Sequence, residues 1–217
     1  MKEYEFNLDE IALRNFFIAI RSKVHVIEIL MEALKYMIIN PAIKRDEIKG
    51  KMILKIDKMS RIFFFRQDKY FSLAFPFFVI LEDKKYTFSS NLVNKIDNKL
   101  ISQIIEIIKC DEFKTNCSLD FIAPICEFEE NCNEFFWAFL RELLLMEDGY
   151  IRYDFDSEHF SEYKKRGEDH KHPENHYDLF YSTQATFKLG LENKIKDTEL
   201  IDLLNINTNC KYIKNLS

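Results

Sequence analysis

Four of the five histidines in this chain, His159, His170, His172 and His176, fall between residues 159 and 176. Just before them runs Tyr150-Ile151-Arg152-Tyr153-Asp154-Phe155-Asp156, and the cluster closes on His176-Tyr177-Asp178. Imidazoles and carboxylates so concentrated could do two kinds of chemistry. Asp154, Asp156 and Asp178 could hold Mg²⁺ or Mn²⁺, an ion that activates water and neutralises a phosphodiester. Without a metal, His172 and His176 could serve as general base and acid for RNA cleavage, with Arg152 as the cation for the phosphate. Lys188 could stabilise charge developing in the transition state. His170, His172 and His176 with Asp178 are acceptable transition-metal ligands too, although their spacing, interrupted by Pro173, is no established zinc signature. The plain alternative is a solvated connector in which Arg152 pairs with Asp154 or Asp178 across strands. His159 is not assigned to the site, and His25, in an apolar helical stretch, reads as packed or hydrogen-bonded.

Strands must position these groups, because alternate residues of a strand share a face. Over residues 150–156, Arg152, Asp154 and Asp156 project to one side and Ile151, Tyr153 and Phe155 to the other. Over residues 176–182 the same rule groups His176 and Asp178 against Tyr177 and Leu179. A third strand, residues 186–191, sets Thr186 and Lys188 against Phe187, Leu189 and Leu191. If the three are neighbours, one polar surface gathers Arg152, Asp154, Asp156, His176, Asp178, Thr186 and Lys188, and alanine at Asp154 or Asp178 should abolish divalent-dependent cleavage while leaving melting nearly intact. Residues 157–175 read as a long connection, which in compact domains is functional or mobile.

Asn7 with Glu10 reads as a capping pattern opening a helix near residue 8. Its apolar spacing continues to Met37 and stops at Pro41, as one helix broken near Ser22 or as two. Aromatic and β-branched runs at 52–56, 61–66, 70–80 and 86–88 read as antiparallel strands. Helical spacing returns over 92–108. A strand over 119–128 is weakened by Pro124, a helix follows Asn131, and a short helix is expected near 198–205. The predicted class is α+β, one domain over residues 1–217 with an antiparallel or mixed sheet packed by several helices.

Composition excludes several classes. With 217 residues, 47% hydrophobic and 15% aromatic, the chain is no disordered tail. Only 4 glycines occur, and neither GxGxxG nor GxxxxGK[ST] is present, which removes dinucleotide-binding enzymes and P-loop NTPases. The start, Met1-Lys2-Glu3-Tyr4-Glu5-Phe6, has acids where a signal peptide needs a basic start, and no apolar run approaches the ~20 residues that span a bilayer. Five cysteines without CxxC spacing predict reduced thiols and a cytoplasmic setting with no membrane association. Charge is polarised. Residues 44–69 hold nine bases (Lys44, Arg45, Lys49, Lys51, Lys55, Lys58, Arg61, Arg66, Lys69) against four acids, while residues 111–162 hold fourteen acids against three bases. The basic stretch could face phosphates with aromatic support, or be the solvated lysine-rich edge of a sheet.

The motifs Arg152-x-Asp154-x-Asp156, His172-Pro173-x-x-His176-x-Asp178 and Tyr181-Ser182-x-x-x-Thr186-Phe187-Lys188-Leu189-Gly190-Leu191 resemble bacterial domain families of phage-defence and mobile-element neighbourhoods, over about residues 132–205. The resemblance implies work beside other gene products in toxin or antiviral modules, and carries no catalytic assignment. The acids with Lys188 are also similar to the sheet-borne acid, acid, lysine set of restriction-type nucleases, except that Thr186 stands where that pattern has Asp or Glu. The leading expectation is therefore a defence-associated protein acting on nucleic acid, with a divalent-metal-dependent phosphodiester hydrolase site. Its rival is a non-catalytic scaffold or accessory subunit of a multiprotein antiviral complex, since aromatics are enriched in interface cores and polarised charge orients docking.

Overall fold

Period-two patterning builds most of the architecture. In the computed structural model, which describes residues 2–58, 60–110, 135–179 and 187–213, the chain is α+β with antiparallel sheets. Seven strands run side by side in the order β1 (Lys2–Leu8), β2 (Gly50–Ile56), β3 (Arg61–Arg66), β4 (Lys69–Ala74), β7 (Ile151–Phe155), β8 (Asn175–Asp178) and β9 (Lys188–Leu191). β5 (Phe78–Glu82) and β6 (Lys85–Ser89) form a separate hairpin. The described helices are α1 (Glu10–Phe16), α2 (Lys23–Ile39), α3 (Asn98–Lys109), α4 (Phe136–Leu145), α5 (Ser157–Lys165) and α6 (Asp197–Leu203). Among the described residues no helix is long and apolar enough to cross a membrane.

The chain divides into two compact units. One, Met1–Leu13 with Ile43–Ala74 and Gly149–Ser217, contains all seven strands of the large sheet. On one face of that sheet Ile53, Phe63, Phe65, Ile151, Tyr153 and Tyr177 form a core with Leu200 of α6. On the other, cross-strand register lines up Phe6, Met52, Phe64 and Phe71, all buried, and continues into Arg152, Asp178 and Lys188. A single row thus changes from apolar to charged where β4 meets β7. Phe64 and Phe71 stack at 4.6 Å next to that change, a pairing that adds about 0.5–1.5 kcal/mol beyond its buried area. In the other unit, Arg14–Ala42 with Phe75–Asp148, α2 buries Val26, Ile27, Leu30, Leu34 and Met37 and packs against α3, α4 and β6.

Several elements depart from the sequence reading. Residues 2–8 form a strand and not a helix approach: Phe6 and Leu8 turn inward while Glu5 and Asn7 turn out. The cap of α1 is Asp9, whose Oδ1 accepts from Ala12 N at 2.8 Å. The expected strand over 70–80 is two, β4 and β5, interrupted at Phe75-Pro76-Phe77, because proline cannot donate to a ladder. The helix expected from 92 begins only at Asn98, where Asp97 accepts from Leu100 N at 2.9 Å. The expected strand over 119–128, the cap at Asn131, and Phe180 to Thr186 lie outside the described residues.

Gly190 carries the close approach that shapes the site. It sits opposite His176 in the β8–β9 register, and a Cβ there would lie 2.9 Å from Pro173 Cγ and 3.1 Å from Pro173 Cβ. The proline ring must therefore move if a side chain is added. We expect Gly190→Ala to lower unfolding stability by about 1–3 kcal/mol, read as a reduced urea midpoint at constant slope. An unchanged midpoint would show that Pro173 is not held against β9.

Candidate functional site

β7, β8 and β9 bring five of the sequence-selected residues together. Register places Arg152 opposite Asp178 and Asp178 opposite Lys188, while Asp154 lies opposite His176. Arg152 Nη2 bridges the two acids, at 2.9 Å from Asp154 Oδ2 and in direct contact with Asp178 Oδ2. Lys188 Nζ lies 3.3 Å from Asp178 Oδ1, and Lys69 of β4 lies 3.4 Å from Asp154 Oδ1, which makes this ion pair without a hydrogen bond. His176 Nδ1 lies 2.8 Å from the Pro173 carbonyl and donates to it. Nε2 then keeps its lone pair, and Lys188 Nζ donates to it at 2.7 Å.

This surface is buried, with His176 at 0% exposure, Asp178 at 3% and Asp154 at 6%. Arg152 and Lys188 are half-buried. Burial and then the Lys188 charge push His176 below its ordinary pKa, against smaller opposing pulls from the Pro173 carbonyl, Asp178 and Asp154. Burial also opposes the Arg152 cation, yet Tyr150, Asp154 and Asp178 outweigh it and raise the guanidinium pKa. Tyr150 itself is pushed up to about 12 by burial. Three protein cations, Arg152, Lys188 and Lys69, therefore face two carboxylates around a neutral imidazole.

Asp156 and His172 belong to a second group. β7 ends at Phe155, so Asp156 leaves the strand face and caps α5, accepting from His159 N at 3.1 Å. The connection expected over 157–175 is thus largely ordered as α5 and a short 3₁₀ turn, Asp169–Lys171. His159, which the sequence reading left out, places Nδ1 2.9 Å from Asp156 Oδ2, and His172 Nε2 lies 3.8 Å from the same oxygen. The missed signal is Asp156-x-x-His159, a cap and its third residue, whose side chains meet on the first turn. The Asp156 pKa is lowered: burial opposes the shift, and hydrogen bonds from the His159 backbone and ring outweigh it. His172 is pushed down by burial, then by Lys188 and His176. The two groups touch where the His172 and His176 rings meet edge to face, 5.0 Å between centroids.

Among the described residues two donor sets have ligand-atom spacing: Asp154, His176 and Asp178, and Asp156, His159 and His172, each with its atoms within 4.8 Å of one another. They are not equivalent. In the first, Lys188 already supplies a positive charge to both His176 and Asp178. His170 sits exposed in the 3₁₀ turn and belongs to neither. His25 is half-buried and accepts from Arg21 N at 3.2 Å.

The basic stretch over 44–69 does not form one cationic face. Lys51 pairs with Asp197 at 2.5 Å and Lys55 with Glu3 at 2.9 Å, while Arg61 is buried against Ser72 and the Gly149 carbonyl. A cleft of about 320 Å³ lined by Lys49, Lys51, Phe65, Arg66 and Tyr70 opens on the opposite face of the sheet from Asp154. Of the stretch, Lys69 is the residue shown paired into the cluster.

Alanine at Asp178 cannot be silent in this setting, contrary to what a solvated strand face would allow. It leaves Arg152 and Lys188 short of a counter-charge at 24% and 15% side-chain exposure, and breaking a buried pair costs about 3–5 kcal/mol. We expect that loss in urea unfolding of Asp178→Ala, and partial recovery in the double variant Arg152→Leu/Asp178→Leu. Strictly additive losses would contradict the pairing. No family model matches the chain, and neither the curated proteins nor the solved structures contain a match to it.

Proposed function

We propose that the β7–β9 cluster hydrolyses phosphodiesters in nucleic acid, as part of a bacterial antiviral module in the cytoplasm. The observation that carries this reading is the excess of cations, Arg152, Lys188 and Lys69 against Asp154 and Asp178, beside an imidazole kept neutral. An anion is the ligand such a cluster favours. Arg152 and Lys188, which keep 24% and 15% of their side-chain surface beside Lys69 with 34%, take the charge of the phosphate in its transition state. His176 acts through Lys188: its Nε2 lone pair accepts the ammonium's hydrogen bond and so orients that cation toward the phosphate, while the leaving oxygen takes its proton from solvent water. Asp154 and Asp178 hold both cations in place. A divalent cation, Mg²⁺ or Mn²⁺ in the sequence reading, would supply an activated water.

A second reading, an accessory subunit of a multiprotein complex, is favoured by one observation. Phe78 and Ile80, 56% and 52% exposed, lie on the same side of β5, where alternate residues share a face. Aromatic and aliphatic side chains exposed together mark protein contacts.

Cleavage of labelled single- and double-stranded DNA and RNA, with Mn²⁺ present, separates the two. On the hydrolytic reading Lys188→Met loses about 100-fold or more in rate, with folding checked by its melting curve. His176→Asn, which keeps an amide donor for Pro173, changes the pH profile of the residual rate. Equal cleavage by the wild type and Lys188→Met contradicts the hydrolytic reading. No cleavage at all, with a stoichiometric partner lost on Ile80→Asp, replaces it by the second.

A further inference from the structure

We infer that Asp156, His159 and His172 form a binding site for a first-row transition metal of the Zn²⁺ class, separate from the β7–β9 cluster. Two imidazoles and one carboxylate suit zinc, cobalt or nickel better than magnesium, which prefers oxygen ligands and keeps its water. Three protein ligands leave a fourth position for water or another ligand.

The geometry is close to what such an ion needs. Bonds of about 2.0 Å in a tetrahedron set donors ~3.3 Å apart. Asp156 Oδ2 lies 2.9 Å from His159 Nδ1 and 3.8 Å from His172 Nε2, values on either side of that spacing. Asp156 Oδ1 is held by the His159 backbone N–H at 3.1 Å, which turns the second oxygen toward the rings.

His172 supplies an independent observation. Its Nδ1 is buried without a hydrogen-bond partner, and the 3.8 Å from Nε2 to Asp156 is too long for a hydrogen bond. An ion at this site would take Nε2, whose lone pair no hydrogen bond occupies, with the ring proton on the buried Nδ1. The ring is also fixed in place. It stacks on Tyr163 at 5.4 Å and 28°, lies 5.5 Å from His159, and meets His176 edge to face. His159 and Tyr163 are four residues apart on α5, and so share one helix face.

The contrast with the neighbouring donor set locates the ion. Asp154 and Asp178 are met by Arg152, Lys69 and Lys188, whereas the ion pairs recorded for Asp156 are with His159 and His172 alone. An external cation at the first set competes with a lysine, and at the second it does not. This inference stands without the hydrolytic reading, since binding is its readout.

Calorimetric titration of the full chain with ZnCl₂, in a large excess of Mg²⁺, tests it. We expect one saturable Zn²⁺ equivalent that Mg²⁺ does not displace. His159→Ala should weaken it by about 10–100-fold or more; this side chain is 59% exposed, so folding is not at stake. Asp156→Asn should weaken it likewise, and Asp178→Asn should leave it in place. Absence of saturable binding overturns the inference. So does full-strength binding by His159→Ala, or loss of binding in Asp178→Asn alone with its melting curve showing it folded, which would put the ion in the neighbouring set.

Discussion

Charge matching across β7, β8 and β9 is the constraint on which the rest of this half of the molecule depends. Asp154 and Asp178 are buried, and a carboxylate removed from water without partners costs several kcal/mol. Arg152 answers both acids at once, Lys188 answers Asp178, and Lys69 reaches Asp154 from the neighbouring strand. Asp178 is answered from the strands on either side of it and Asp154 from its own strand and from β4, so a shift in the register of these strands would strand a charge. A slip by one residue would turn Arg152 and Asp178 to the face where Leu200 packs.

The same register explains how one sheet serves both a core and a polar cluster. Phe6, Met52, Phe64 and Phe71 extend the row that ends in Arg152, Asp178 and Lys188. Apolar packing secures the first four strands, and the last three inherit their alignment through β4. Pro173 then closes on Gly190, and its carbonyl sets the tautomer of His176. Backbone geometry, more than any local motif, decides which imidazole nitrogen meets Lys188.

Alternation made much of this legible. Arg152 and Asp154 against Ile151 and Tyr153, then His176 and Asp178 against Tyr177, could be assigned to faces from spacing alone, and so could Lys188. Burial could not. The same pattern describes a solvated face or a covered one, and only the fold shows Asp154, His176 and Asp178 shut from water. Asp156 was misplaced because strand alternation was carried one residue too far, past Phe155 and into the cap of α5. His159 was missed for the same reason, since a residue beyond a strand has no face until the helix that follows is known. At the N-terminus two capping patterns overlap, Asn7 with Glu10 and Asp9 with Ala12, and pairing with β2 decides for the second. Pro76, visible in the sequence, was the signal that residues 70–80 are two strands in two units.

His176 joins these features, since its protonation and tautomer report on the carbonyl at one nitrogen and the ammonium at the other. A neutral ring there accepts from the Lys188 ammonium; a protonated ring would repel it and break the balance around Asp178. The most direct measurement is an NMR titration of the ¹⁵N-labelled imidazoles, with His176 assigned by comparison with His176→Asn. The account predicts a neutral ring at pH 7 with the proton on Nδ1, and a pKa below the ordinary histidine value near 6.5. A proton on Nε2, or a ring charged at pH 7, would contradict it.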